Sequence, residues 1–197
     1  MNLVDRVKRI LLSPETEWPV IDAEPATPSQ LYTGYIMPLA AIGPIAQIIG
    51  YSVFGITVPF VGTYRVPIGT SVTSALAAYV LTLAATYVLA LITDALAPSF
   101  NAQRSMLQAL KLAAYSCTAA WLAGIFLLVP GFRILTALGL YSVYLLYRGL
   151  PVLMRPPRDR AMTYTVVVVV AAIVLFMVVG AVSGRFLAVP TAGITVP

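Results

Sequence analysis

The chain has 197 residues, of which 60% are hydrophobic and only 10% charged, with a formal net charge of +5 and a mean hydropathy of +0.92. A soluble domain has about 25% charged residues, so this composition excludes an ordinary soluble fold and predicts an integral membrane protein. The chain has no histidine, which excludes histidine-dependent nucleophilic catalysis and a histidine-ligated metal or haem. No phosphate-binding loop or dinucleotide fingerprint is present. We therefore expect no enzymatic activity, no cofactor and no nucleic-acid partner.

The first twelve residues predict an amphipathic helix, with one apolar stripe and charges elsewhere. The stripe comprises Leu3, Val4, Val7, Ile10 and Leu11. Such a helix either lies in the lipid headgroup layer or docks on the protein itself, and the sequence leaves both alternatives open. Four prolines between residues 14 and 28 argue against a long helix there. Residues 1–30 are therefore interpreted as a cytoplasmic amphipathic and proline-rich segment, folded back or extended.

Five apolar runs follow, each long enough to cross a hydrocarbon core of ~30 Å, which takes about 20 helical residues. They cover residues 31–56, 69–97, 105–129, 132–153 and 162–182. We predict an all-α polytopic membrane protein with five transmembrane helices, formed by one domain of residues 31–185. Residues 186–197 would be a short external tail.

Proline and glycine interrupt these runs at two places. The first run contains Pro38, Gly43, Pro44 and Gly50, so its helix should kink or open locally. The pair Pro130-Gly131 predicts a tight antiparallel turn between the third and fourth runs.

The distribution of basic residues predicts the orientation in the membrane, because short cytoplasmic loops are enriched in Lys and Arg. With the N-terminus inside, the outside segments hold Arg65, Arg133 and Arg185, which leaves nine of the twelve basic residues inside. We expect a cytoplasmic N-terminus and an external C-terminus, in the inner membrane of a prokaryote.

A polar stripe on the second helix is the first candidate site. Asp94 and Tyr87 lie one heptad apart, and Arg104 and Lys111 approach from the same side of the membrane. Ionisable groups at membrane depth are costly and usually face a partner or a cavity. One hypothesis makes Asp94 a salt-bridge partner at the helix end, and the other makes it part of a substrate or ion site.

The second candidate site is an aromatic and basic face at the cytoplasmic end of the fourth helix and the loop after it. The face consists of Tyr141, Tyr144, Arg148, Arg155, Arg158 and Arg160. The first three recur at i, i+3 and i+7 and so share one side of a helix. They form either an aromatic belt that anchors the helix or, with the loop arginines, a binding face for anionic lipid headgroups.

Small residues four positions apart let transmembrane helices approach closely. Most such ridges, including Ser116, Ala120 and Gly124, should serve packing within the protein. Gly180 and Gly184, on the last helix, are the better candidates for self-association into a homo-oligomer.

Four segments carry a resemblance to a known family. They are residues 13–18 (SPETEW), 97–100 (APSF), 115–121 (YSCTAAW) and 141–154 (YSVYLLYRGLPVLM). In these segments, their order and its five apolar runs, the chain resembles a prokaryotic member of the Yip1 family of five-span membrane proteins. Eukaryotic members act in vesicle traffic and bind Rab-type GTPases. The resemblance thus implies a non-enzymatic protein that organises lipids or partner membrane proteins.

The residues also leave a second function open. A kinked first span and a polar stripe around Asp94 are features of transport sites. The alternative to a membrane-organising protein is a small channel or transporter, which could work as a homo-oligomer.

Overall fold

A computed structural model of the chain describes residues 2–58 and 62–186. The fold is helical, apart from one hairpin of three-residue strands, β1 (Ile56–Val58) and β2 (Gly62–Tyr64), in which Thr57 pairs with Thr63. The predicted helical membrane architecture is confirmed. The expected tail lies outside the described residues from residue 187 onwards.

The chain opens with two short helices, α1 (Leu3–Leu12) and α2 (Pro14–Ala23). Pro14 occupies the first position of α2, where its missing N–H needs no helical partner. Pro19 lies inside the same helix. The prolines therefore limit the length of the helices in this region, but the region is helical and not extended. Ile10 of α1 is fully buried. Helix α1 therefore docks on the protein, which is one of the two alternatives; the other was a position in the lipid headgroup layer.

The first span covers Pro28–Phe54 and is broken, as its prolines and glycines predict. It consists of α3 (Pro28–Leu31), a π-helical segment (Tyr32–Ile36), α4 (Met37–Ala40), α5 (Ile42–Ile49) and a second π-helical segment (Gly50–Phe54). Wider π turns of this kind accommodate a backbone whose hydrogen-bond ladder is interrupted.

Three further helices are long and apolar enough to cross a membrane. The second span joins α6 (Ile68–Leu96) to a 3₁₀ turn (Ala97–Phe100); the third joins α7 (Met106–Ser116), α8 (Thr118–Ala123) and a 3₁₀ segment (Gly124–Leu128); the last is α10 (Arg158–Arg185). The second span ends where Asn101 takes a left-handed conformation with φ 53°.

The predicted fourth span, residues 132–153, is not among these four candidates, so the count of five is not confirmed. The segment folds as a 3₁₀ helix (Pro130–Leu140) followed by α9 (Tyr141–Leu153). Arg133, Arg148 and several tyrosines make it less apolar than the other spans. Its 3₁₀ half packs antiparallel to α8 and the 3₁₀ end of the third span, which confirms the turn at Pro130-Gly131.

The third span lies at the centre of the bundle. In its most apolar stretch 67% of the residues are buried, against 11% in the last span. It meets the first span backbone to backbone, because a Cβ added to Gly124 would lie 2.7 Å from the Cα of Gly43. The small residues around Gly124 therefore serve internal packing, as expected. The core continues into the N-terminal helices, where Trp18 is fully buried.

Candidate functional site

Four charged residues, Arg6, Glu17, Glu24 and Lys111, meet where α1 and α2 dock on α7; we refer to them as the charged cluster. Arg6 is only 5% exposed and donates from Nη1 to Oε1 of Glu17 at 2.5 Å, while its Nη2 pairs with Glu24. Its guanidinium also lies over the ring of Tyr115, 5.7 Å from the centroid. Two carboxylates and an aromatic face thus compensate a buried cation.

Lys111 binds the end of α2 and does not join the polar site predicted around Asp94. Its Nζ donates to the carbonyl oxygens of Ile21 at 2.8 Å and Glu24 at 2.7 Å. A cation is favourable at this position because the C-terminus of a helix carries unsatisfied carbonyls and partial negative charge. The sequence placed Lys111 on the correct side of the bundle but could not show that its ammonium group binds the carbonyl oxygens at the end of α2.

A half-open cavity of about 320 Å³ borders the charged cluster. Its walls include Arg6, Glu24, Lys111, Tyr35 and Tyr115. Tyr35 shares a 2.7 Å hydrogen bond with the hydroxyl of Thr118. Arg6, Glu24 and Lys111 are engaged in ion pairs or hydrogen bonds within the protein, and these contacts hold the N-terminal helices on the bundle.

Asp94 forms an ion pair with Arg104, as one of the two hypotheses for it requires. Nε of Arg104 lies 3.0 Å from Oδ2 of Asp94. The side chain of Asp94 is 12% exposed and that of Arg104 69%, so the pair lies at the end of the second span and opens to the surface. The side chain of Tyr87 is 44% exposed, and its hydroxyl makes no hydrogen bond within the described ranges. The structure thus brings together two of the four residues expected at this site.

The aromatic part of the second candidate site contacts the N-terminal helix. The hydroxyl of Tyr141 donates to the carbonyl oxygen of Leu11 at 3.0 Å. The ring of Tyr144 packs against that of Tyr141, with centroids 5.3 Å apart. Both tyrosines remain more than a third exposed. This pair therefore contacts α1 and also presents an aromatic surface.

The arginines of this face are largely paired, because the acidic residues of α2 fold back over them. Arg148 lies 2.6 Å from Glu15, and Arg155 lies 2.7 Å from Asp22. Arg160 contacts the carbonyl oxygen of Ser99 at 3.2 Å and neighbours Asp159 at 3.9 Å. The positive field that the sequence predicts for this side is therefore partly cancelled.

Arg158 differs from its neighbours, since within the described residues it makes no ion pair. It lines a cleft of about 360 Å³ between α2, α9 and α10, together with Arg148 and Glu15. Trp18 and Met162 supply apolar walls. This arginine cleft combines two guanidinium groups, one acceptor and an apolar floor.

A comparison with known protein families shows which family the chain belongs to. A family model described as the Yip1 domain matches residues 8–180. The chain belongs to the Yip1 family. No curated protein and no solved structure matches the chain. The matched range covers Glu17, Glu24 and Lys111 of the charged cluster but not Arg6, and it includes the arginine cleft and nearly all of the four candidate spans.

Two of the segments that resemble the Yip1 family pack directly against each other in the structure. Trp18, from residues 13–18, fills the space beside Gly149, from residues 141–154; a Cβ added to Gly149 would lie 2.6 Å from the indole. Trp18 also meets Tyr115 edge to face, with ring centroids 6.4 Å apart. The sequence analysis missed this contact, although a glycine within an apolar helical run was a signal for close approach.

Gly180 and Gly184 of this Yip1-family chain lie on the surface of the bundle. A Cβ added to either glycine would meet nothing within 4 Å. The last span is also the least buried of the four. The small-residue surface is thus free to meet another helix, which is what the hypothesis of self-association requires.

Proposed function

We propose that this Yip1-family protein is a non-enzymatic membrane protein that binds anionic lipid headgroups in the arginine cleft and thereby organises the lipids, or partner membrane proteins, around it. The single observation that carries the proposal is the position of Arg148 and Arg158 in one cleft at the N-terminal end of the last span. Guanidinium groups bind phosphate oxygens strongly and in a defined geometry.

Charge and shape both support this proposal. Glu15, the carboxylate that pairs with Arg148, has a 64% exposed side chain, so water screens the pair and a phosphate can compete for the guanidinium. Arg158 begins α10, and the positive end of a helix favours an anion there. The apolar walls of the cleft suit the glycerol and upper acyl carbons of a lipid.

The orientation is part of the proposal. The nine-to-three distribution of basic residues favours a cytoplasmic position for the arginine cleft and the N-terminal helices. The inner leaflet of a prokaryotic membrane would supply the anionic lipid. Each basic residue near such a surface contributes about 1 kcal/mol to the attraction.

Native mass spectrometry of protein extracted from membranes with equal phosphatidylglycerol and phosphatidylcholine tests the proposal. We expect the double variant Arg148→Gln/Arg158→Gln to lose roughly thirtyfold of the preference for phosphatidylglycerol, because each basic residue contributes about 1 kcal/mol near an anionic lipid and two residues are removed. The double variant Lys8→Gln/Arg9→Gln is the matched control, since it removes the same charge from an exposed helix face. Equal losses in both variants would show general surface attraction in place of a cleft.

The alternative function, a channel or transporter, is supported by the broken first span. Two π-helical segments, Tyr32–Ile36 and Gly50–Phe54, interrupt it, and interrupted helices line many transport pathways. Solute or ion flux into liposomes that Asp94→Asn abolishes while leaving the fold intact would favour this function. Flux absent from the wild type, with partners captured by crosslinking in native membranes, would favour the organising role.

A further inference from the structure

A groove of about 630 Å³ lies between the 3₁₀ helix Pro130–Leu140, α9 and α10. Its walls are mostly apolar, and large side chains on both rims are uncovered by protein: Ile134 is 79% exposed, Leu140 72% and Met177 61%. In a membrane-spanning protein such rims face hydrocarbon. The groove therefore opens sideways towards the lipid, and an acyl chain can enter it without crossing water.

Arg133 lies in the wall of this apolar groove. Its Nε and Nη2 atoms are buried and have no hydrogen-bond partner within the part of the chain that the structure describes. The guanidinium lies over the ring of Tyr51, 4.9 Å from the centroid, which compensates part of its charge. An arginine remains protonated under all ordinary conditions, so donors left without acceptors in apolar surroundings are costly.

The sequence itself supplies no acidic side chain to pair with Arg133. The seven acidic residues lie at positions 5, 15, 17, 22, 24, 94 and 159. Those in α1 and α2, together with Asp94 and Asp159, lie at the end of the bundle that contains the arginine cleft. Arg133 lies at the other end of the bundle. It is beside Tyr51, which belongs to the final turn of the first span. None of these seven side chains is therefore in place to pair with Arg133.

We infer that this groove binds one membrane lipid with an anionic headgroup. The headgroup phosphate accepts hydrogen bonds from Arg133, and one acyl chain lies along the groove between α9 and α10. Charge complementarity selects an anionic over a zwitterionic lipid, and the lateral opening selects a lipid over a water-soluble anion. This site is separate from the arginine cleft, at the opposite end of the bundle, and serves a lipid of the other leaflet.

The first experiment uses the unmodified full-length chain and needs no variant. The protein is reconstituted with phosphatidylglycerol that carries a diazirine at the end of one acyl chain, irradiated, and analysed by peptide mass spectrometry. We expect adducts concentrated on the two walls of the groove, residues 137–146 and 169–177. Adducts spread evenly over all lipid-facing helices, including exposed Leu76 and Leu91 of α6, would overturn the inference.

The second experiment separates headgroup from chain. By native mass spectrometry after extraction from equal phosphatidylglycerol and phosphatidylcholine, Arg133→Gln should lose roughly tenfold of the preference for phosphatidylglycerol at one bound lipid, because the variant removes the positive charge that favours a net-anionic headgroup. Arg185→Gln, at an exposed residue on the same side, should change nothing. Ala172→Phe fills the groove and should reduce retention of both lipids.

Two outcomes of the second experiment would overturn the inference. One is a preference in Arg133→Gln equal to that of the wild type, and the other is equal losses in Arg133→Gln and Arg185→Gln. The arginine-cleft double variant Arg148→Gln/Arg158→Gln should leave this bound lipid in place, so failure of one site does not imply failure of the other. If Arg133→Gln does not fold, the crosslinking pattern alone decides.

Discussion

Replacement of Glu17 by Gln should destabilise the protein by more than any single exposed-charge substitution. Glu17 and Arg6 have side chains that are only 4% and 6% exposed, and they meet at 2.5 Å. The variant keeps the shape of the side chain and removes its charge. The buried cation of Arg6 then depends on Glu24, whose side chain is 42% exposed.

The expected cost follows from this geometry. Removal of one member of a buried ion pair costs about 3–5 kcal/mol, because the other charge stays buried without compensation. Glu24 and the ring of Tyr115 still face Arg6, so the low end, about 3 kcal/mol, applies. For a chain of this size each kcal/mol lowers Tm by about 2–4 °C, which gives a decrease of about 6–12 °C.

Thermal unfolding in one detergent, followed by intrinsic Trp fluorescence, measures this shift. Lys8→Gln in the same helix is the matched control and should cost at most about 0.5 kcal/mol, since Lys8 is exposed. A second variant, Arg6→Met/Glu17→Leu, should recover most of the loss, because it removes both buried charges together.

Two results would refute this reasoning. If Glu17→Gln unfolds at the same temperature as Lys8→Gln, the charged cluster does not hold the N-terminal helices. If Arg6→Met/Glu17→Leu is as unstable as Glu17→Gln, the cost arises from lost contacts and not from an uncompensated charge.

Four further predictions concern packing, topology and assembly. Gly124→Ala should lower Tm, since its Cβ would lie 2.7 Å from the backbone of Gly43, at about 1–3 kcal/mol; Gly34→Ala, with nothing within 4 Å, should be neutral or raise it. Parallel shifts would contradict this. Asp94→Asn should cost about 1 kcal/mol in detergent and leave topology unchanged, because its partner is mostly exposed; a loss as large as that of a buried pair would argue against a surface ion pair. Gly180→Ile should reduce crosslinked dimers in membranes, and an unchanged dimer yield would exclude this surface. A reporter fused after the last residue should give an external signal, and one fused within residues 155–160 a cytoplasmic signal; the reverse pattern would exclude the proposed orientation.

Patterns that depend on neighbours in the chain were predictable from the sequence. Long apolar runs predicted the membrane helices, because crossing hydrocarbon requires about 20 consecutive apolar residues whatever the tertiary fold. Pro38 and Gly50 predicted the broken first span, since a proline removes a backbone donor locally. Gly124 predicted a close helix contact, although not its partner Gly43.

The expected fourth span shows where local patterns stopped being sufficient. Its apolar run reaches the length of a span, but the segment is not among the four helices that are long and apolar enough to cross a membrane. It folds as a 3₁₀ helix over Pro130–Leu140 before α9 begins. Packing against α8 and the end of the third span accompanies this geometry. The segment's conformation thus cannot be taken from its length and composition alone.

The charge pairs were decided by the tertiary structure alone. Arg6 meets Glu17, Arg148 meets Glu15 and Arg155 meets Asp22, across separations of 11 to 133 residues. The distribution of basic residues predicted a common side of the membrane for these arginines. It could not show that the acids of α2 reach them, because that depends on the fit of Trp18 beside Gly149, a contact between surfaces distant in the chain.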